Sequence, residues 1–540
     1  MRRSKYPVLW ILSLLGLLVF GWIAVGDLSP NGQAFVNRSD AAQRAADFLR
    51  SQGLGVSGMI RTELYQGDTD MDAYLQRHEL SEEFAENKLA RPLSYWEVTH
   101  FTPRRDSYKV SIDETDGRVL GYEISRDEWA DEPELTEEQA LRLAREELER
   151  QGIDYSNVVT QELNGDEEGY WGESYVYKFR DMRWKVGESE LVYTVGITGS
   201  HVSAFQSQYL IPKADRAWLK KQDSYGMILT GISLLGMFLF VVFSIVVAFV
   251  YPKHEVNWQR GLVLGLVLLG IALVSNLNEW PFFVASWLLP AAWPVEVNLW
   301  IIATVVCAIG VLSSGATYVT AVAGSALQNR LWPGKWLPWG DRAWPERIRS
   351  AAYRGYLLAF LWLGLQAIFY WISEKYFGVW QEADFTMTPW NYLVPGLFPV
   401  LAWTAGIGEE ITFRLLGMSL LKRYLRSTFL ALLIPAVVWA LAHSLYPVHP
   451  FYTRFLELTL LGMLIGWCFL RYDLETVIFA HVIFDTVWMC LPLFIDGEWT
   501  DKVWAVGWMV LPALVGRYSR VLQPKWVGQQ DVASSTGGSP

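Results

Sequence analysis

The stretch Leu393–Lys422, LVPGLFPVLAWTAGIGEEITFRLLGMSLLK, decides how this chain is read. From 393 to 421 its charged side chains are Glu409, Glu410 and Arg414, set in an otherwise apolar run. A helix of roughly 20 apolar residues crosses a bilayer core of about 30 Å. Ionisable groups inside such a span are costly, so they usually face a cavity and mark function. Further apolar runs lie near 7–25, 226–250, 260–276, 298–323, 353–373, 428–447, 455–471, 474–495 and 503–516. Together they predict a multi-span, all-α membrane protein of about ten transmembrane helices.

The composition agrees. Of 540 residues, 52% are apolar and 19% charged, with a net charge of −11. The charge is uneven: residues 26–225 hold about two-thirds of the acids and about half of the bases. This describes an acidic, water-soluble insert in a membrane protein. It excludes a cytosolic enzyme, a disordered chain and a nucleic-acid binder, which would need a basic face to neutralise phosphates. Cys307, Cys468 and Cys490 all lie in apolar runs and give no disulfide framework or CxxC zinc pattern.

Lys and Arg set the expected orientation. The loop 324–354 carries Arg330, Lys335, Arg342, Arg347, Arg349 and Arg354. The turn Lys422–Arg426 and the tail with Arg517, Arg520 and Lys525 are also basic, whereas 374–391 and 496–502 are mostly acidic. Both termini are expected inside and the 26–225 insert outside, in the plasma membrane of a prokaryote. Pro7–Val25, behind Met-Arg-Arg-Ser-Lys, reads as an uncleaved anchor. Trp280, Trp287 and Trp293 read as a segment along the outer surface.

The insert reads as a duplicated α+β domain. Asp40–Gln52 and Thr136–Arg150 have helical periodicity; Thr136 can cap, and Glu137 and Glu138 suit a helix N-terminus. Each is followed by a hairpin, Tyr108–Tyr122 turning at Asp116-Gly117 and Tyr193–Phe205 turning at Thr198-Gly-Ser. The first unit, with VSIDETDGRVLGY, resembles the PepSY family of small extracellular modules. That resemblance implies binding or regulation of a protease. A generic module holding the chain outside the membrane is the plain alternative. His78, His100 and His201 lack ligand spacing.

The last third concentrates the intramembrane polar groups: Glu409, Glu410 and Arg414, then His443 in WALAHS, then His481 and Asp485 in FAHVIFD. Glu410 and Arg414 are four apart and share a helix face. Glu409 is turned about 100° from Glu410, so it is left free. His481 and Asp485 are also four apart. At about 1.5 Å of rise per residue, Glu409, His443 and Asp485 come to similar depth in three spans. A desolvated carboxylate can act as general base on water. The histidines could stabilise a tetrahedral oxyanion. Alternatively Glu409, His443 and His481 could bind Zn²⁺ and leave a position for water, although HExxH is absent. His449 reads as a loop residue and Glu457 as a snorkelling or capping residue at a span start.

The ordered motifs EExxxR (Glu409–Arg414), Trp439-xxx-His443 and His481-xxx-Asp485 resemble the type II CAAX prenyl protease and bacteriocin-processing (ABI, or CPBP) family of intramembrane proteases. That family has Phe four residues before the second-motif His, where this chain has Trp439. The resemblance covers about 350–516. It implies that Glu409 activates water, that Glu410 and Arg414 shape the site, and that His443, His481 and Asp485 stabilise the transition state or hold a metal.

The expected organisation is therefore an anchor at 1–25, an outer α+β domain at 26–225, membrane helices at 226–349, a protease core at 350–516 and an inner tail at 517–540. The expected activity is hydrolysis of peptide bonds in a membrane-associated peptide or protein substrate. A non-catalytic receptor sensing through the outer domain is the rival, and a proton-coupled transporter ranks last because no symmetric halves are visible.

Overall fold

The computed structural model describes residues 6–23, 36–87, 91–102, 106–161, 174–287, 294–337 and 339–523. A sheet-rich domain precedes a predominantly helical membrane part. Its strands are β1 (Ile60–Gly67), β2 (Ser94–Phe101), β3 (Ser107–Asp113), β4 (Val119–Ser125), β5 (Val158–Gln161), β6 (Tyr175–Val186), β7 (Ser189–Thr198) and β8 (His201–Leu210). They form one antiparallel sheet in the order β1-β2-β3-β4-β8-β7-β6-β5. Two four-stranded meanders thus join edge to edge, with Tyr122 of β4 opposite Phe205 of β8.

Each meander follows a helix, Arg38–Ser51 or Glu137–Arg150. Both helices bury small residues and one leucine: Ala41, Ala45 and Leu49 in the first, Ala140, Ala144 and Leu148 in the second. These pack in one cluster with Val98, Val110, Val195 and Phe205. Thr136 and Gln139 close a capping box on the second helix. Gly117 takes φ 74° at the β3–β4 turn, which glycine adopts without strain. The expected duplication is present, but each unit has four strands where one hairpin was expected. The missed strands alternate weakly: β1 (IRTELYQG) buries Thr62 and Leu64 amid half-buried polar side chains.

Among the described residues, six helices rather than about ten are long and apolar enough to cross a bilayer: Lys213–Val250, Gly261–Asn278, Val295–Leu331, Trp344–Phe377, Tyr452–Arg471 and Leu474–Ile495. Pro7–Ile23 and Thr428–Leu441 are apolar but shorter. The run 393–421 is not one α-helix. Its prolines Pro395 and Pro399 hold its start in a 3-10 turn and a bend. An α-helix then spans Val400–Glu409, a π-helix Glu410–Met418 and an α-helix Ser419–Leu425. The Trp280–Trp287 helix packs against β1; Trp293 and Lys525 lie outside the described residues.

The connector after Phe377 straps the two parts together. It pairs β9 (Trp380–Gln381) with β10 (Val448–His449). Asp72 of the sheet-rich domain accepts from the Ala383 N–H at 2.7 Å. Asn391 accepts from the Tyr65 N–H at 2.6 Å and donates to its carbonyl at 3.1 Å. Arg38 donates to the carbonyls of Trp390 and Tyr392. His449, expected as a loop residue, is buried in this strap: it stacks on Trp380 at 4.3 Å and bonds Glu382 at 3.2 Å. Burial raises the Glu382 carboxyl above its ordinary range, and the His449 bond opposes that rise.

Candidate active site

The site begins where the α-helix Val400–Glu409 hands over to the π-helix. A π-turn bonds i to i+5 and commonly marks functional positions. Gly406 brings this segment close to Leu474–Ile495: a Cβ there would meet Val482 Cγ2 at 2.7 Å and its backbone N at 2.9 Å. That close approach sets the two glutamates beside His481.

Glu410 and Arg414 pair at 3.0 Å with both side chains buried. Arg414 also donates to the Gly462 carbonyl at 3.4 Å. His481 Nδ1 lies 2.7 Å from Glu410 Oε1. The opposite ring nitrogen, Nε2, lies 3.4 Å from Asp485 Oδ2 and 3.8 Å from Glu409 Oε2. Adjacent glutamates therefore face opposite nitrogens of one imidazole. Glu410 is neutralised and closed in; Glu409 is not within ion-pair distance of Arg414 and faces outward.

The Trp439 indole N–H donates to Glu409 Oε2. His443, expected deep within a helix, instead follows the end of Thr428–Leu441. Pro435 sits inside that helix, and its C-terminal carbonyls are taken up by turn bonds. One of them, Trp439 C=O, lies 2.9 Å from His443 Nδ1. The helix end thus aims His443 in place of a continuing span.

Glu409, His443, His481 and Asp485 line one cavity of about 900 Å³. Glu410 and Arg414 stand behind its wall. Apolar lining comes from Trp362, Phe398, Leu401, Phe484 and Trp488, and the strap contributes Gln381, Glu382, Asp384 and Met387. Arg454 also lines it and pairs with Glu457 at 2.6 Å. Glu457, expected to snorkel or cap, is buried and bonds Gln366 at 3.0 Å and Tyr370 at 3.2 Å. Sequence reasoning missed Arg454, although an Arg-xx-Glu pair opening an apolar run carries the same signal as Glu410-xxx-Arg414. The strap residues had no such signal.

Among the described residues, no group of three or more His, Cys, Asp or Glu is arranged to hold a metal ion. Glu409, His443 and His481, the set expected to hold Zn²⁺, form no such group among the described residues.

Residues 389–487 match the family described as Type II CAAX prenyl endopeptidase Rce1-like. The chain is also 28% identical over 90 residues to the sporulation-killing factor biosynthesis protein SkfC of Bacillus subtilis (strain 168), covering 17% of this chain and 18% of that protein. The chain thus matches under a fifth of that relative's length. No solved structure matches. The segment 389–487, similar to the Rce1-like Type II CAAX prenyl endopeptidases, holds Glu409, Glu410, Arg414, His443, His481 and Asp485 together.

Proposed function

We propose that this protein is an intramembrane endopeptidase in which Glu409 activates a water for attack on a peptide bond. The observation that carries the reading is the division of labour between neighbouring glutamates. Glu410 is consumed by Arg414 and His481, whereas Glu409 meets the cavity beside His481 Nε2. Glu409 takes a proton from water as the oxygen attacks the scissile carbonyl carbon. The resulting oxyanion is stabilised by donors from His481 Nε2 and His443, with Glu410 orienting His481 through Nδ1 and Asp485 beside its Nε2. Glu409 then delivers its proton to the leaving nitrogen, and the C–N bond breaks. The apolar cavity walls suit a membrane-associated peptide or protein segment.

The basic loops support an orientation with both termini inside and the sheet domain outside, in a prokaryotic plasma membrane. In that arrangement the PepSY-like sheet domain, through its grip on the strap, acts on the cavity mouth. Maturation of a peptide fits these features.

The test is Glu409→Gln in the full chain, with mass spectrometry of the membrane proteins that accumulate. A general base contributes about 10²–10⁴-fold. Uncleaved substrate should build up while the protein still inserts. Unchanged processing in this variant refutes the reading, and it is the result that a purely non-catalytic receptor requires.

A further inference from the structure

Trp439 touches the site through three different groups. Its indole N–H donates to Glu409. Its main-chain carbonyl lies 2.9 Å from His443 Nδ1, the geometry of an acceptor for that ring N–H. Its ring meets His481 edge-on at 5.7 Å and lies under the Arg414 guanidinium at 4.7 Å. The side chain is 3% exposed, wedged among groups from three elements. An edge-on ring of any aromatic residue would fill that space. Only an indole places a nitrogen donor on the carboxylate.

We infer that Trp439 is a positioning residue: its indole N–H fixes the Glu409 carboxylate in the orientation that accepts a proton from water, and its carbonyl sets the tautomer and aim of His443. This rests on the reading of Glu409 as general base. One Glu409 oxygen, Oε2, is engaged by the indole. A carboxylate held by one oxygen loses rotational freedom and leaves the other as the acceptor facing water. His443, with Nδ1 committed to the carbonyl, retains Nε2 for the cavity. The Arg414 cation over the indole face polarises the ring and strengthens its N–H as a donor. Glu410 and Arg414 therefore act on Glu409 indirectly, through the ring between them.

The experiment uses the full chain in lipid nanodiscs and the substrate that accumulates in the Glu409→Gln strain. Trp439→Phe keeps an aromatic ring and the carbonyl but removes the N–H. A hydrogen bond to a charged group is worth about tenfold to a hundredfold in rate. The expected result is a fall in kcat of that size with KM within about twofold of the wild type. A packing role would instead move KM and thermal stability together. Replacement of Trp439 by 3-benzothienylalanine, which keeps the bicyclic shape with sulfur in place of N–H, covers the case in which the phenylalanine variant misfolds. It should lose kcat to the same extent. Wild-type kcat in the benzothienyl protein, with Glu409→Gln inactive, overturns the role of Trp439 and leaves the protease reading intact. Full activity of Glu409→Gln overturns that reading first.

Discussion

The sheet-rich domain and the membrane core both bury carboxylates, but they neutralise them differently. In the sheet-rich domain Asp113 pairs with Arg118, Asp181 with Arg183 and Glu147 with Arg150, at 3.1, 2.8 and 2.5 Å. The acids are almost wholly covered, while the arginines are 41%, 45% and 52% exposed. Each pair joins residues two to five apart at a turn, a helix end or an irregularity within a strand, with one foot in water. In the core, Glu410 and Arg414 are 0% and 2% exposed, and neither reaches solvent. The sheet-domain pairs shape local backbone. The core pair creates a closed charge against which one imidazole is fixed, and that imidazole turns its other face to Glu409. A buried pair that cannot rehydrate is costly to break, whereas one whose cation is already wet is cheap.

Four changes grade this contrast. The largest effect is on chemistry: Glu409→Gln should reduce cleavage by about 10²-fold or more without preventing insertion, read as accumulated substrate. Next, Arg414→Met leaves Glu410 buried without its cation and should cost about 3–5 kcal/mol. Thermal unfolding in detergent should show it, with activity lost in parallel. Thr136→Ala removes a capping box and should cost about 1 kcal/mol, visible as faster amide exchange over Glu137–Arg150 with the rest of the sheet unchanged. Smallest is Arg183→Ala, worth about 0–1 kcal/mol because its guanidinium is half in water; the melting midpoint should barely move. If Arg183→Ala proved as damaging as Arg414→Met, the distinction between the two regions would collapse.

Legibility in the sequence follows the same divide. The β3–β4 and β7–β8 hairpins and both helices of the sheet-rich domain announce themselves through alternation, a Gly turn and a cap, all within a dozen residues. The strands β1, β2, β5 and β6 do not, because their identity depends on neighbours far along the chain. In the core, Glu410–Arg414 and His481–Asp485 are legible because one helical turn separates their members. The count of about ten spans is not confirmed among the described residues, because apolarity is blind to where a helix stops. Prolines at 395, 399 and 435 and the turn after Leu441 break runs that hydropathy sees as continuous. The strap was invisible, since Glu382, Ala383 and Asn391 gain meaning only from His449, Asp72 and Tyr65 lying over them.

The sequence alone determined that this is a membrane protein with an acidic, repeated α+β module, and which glutamate is tied to an arginine. Helical and strand periods are properties of the local chain, so they survive without coordinates. Only the tertiary structure decided that His481 sits between Glu410 and Glu409, that Trp439 bonds Glu409 with its indole and His443 with its carbonyl, and that the sheet domain bonds the strap whose residues line the cavity. Those relations join residues tens to hundreds of positions apart. They depend on helix crossings, such as the contact of Gly406 with Val482, that no local pattern encodes.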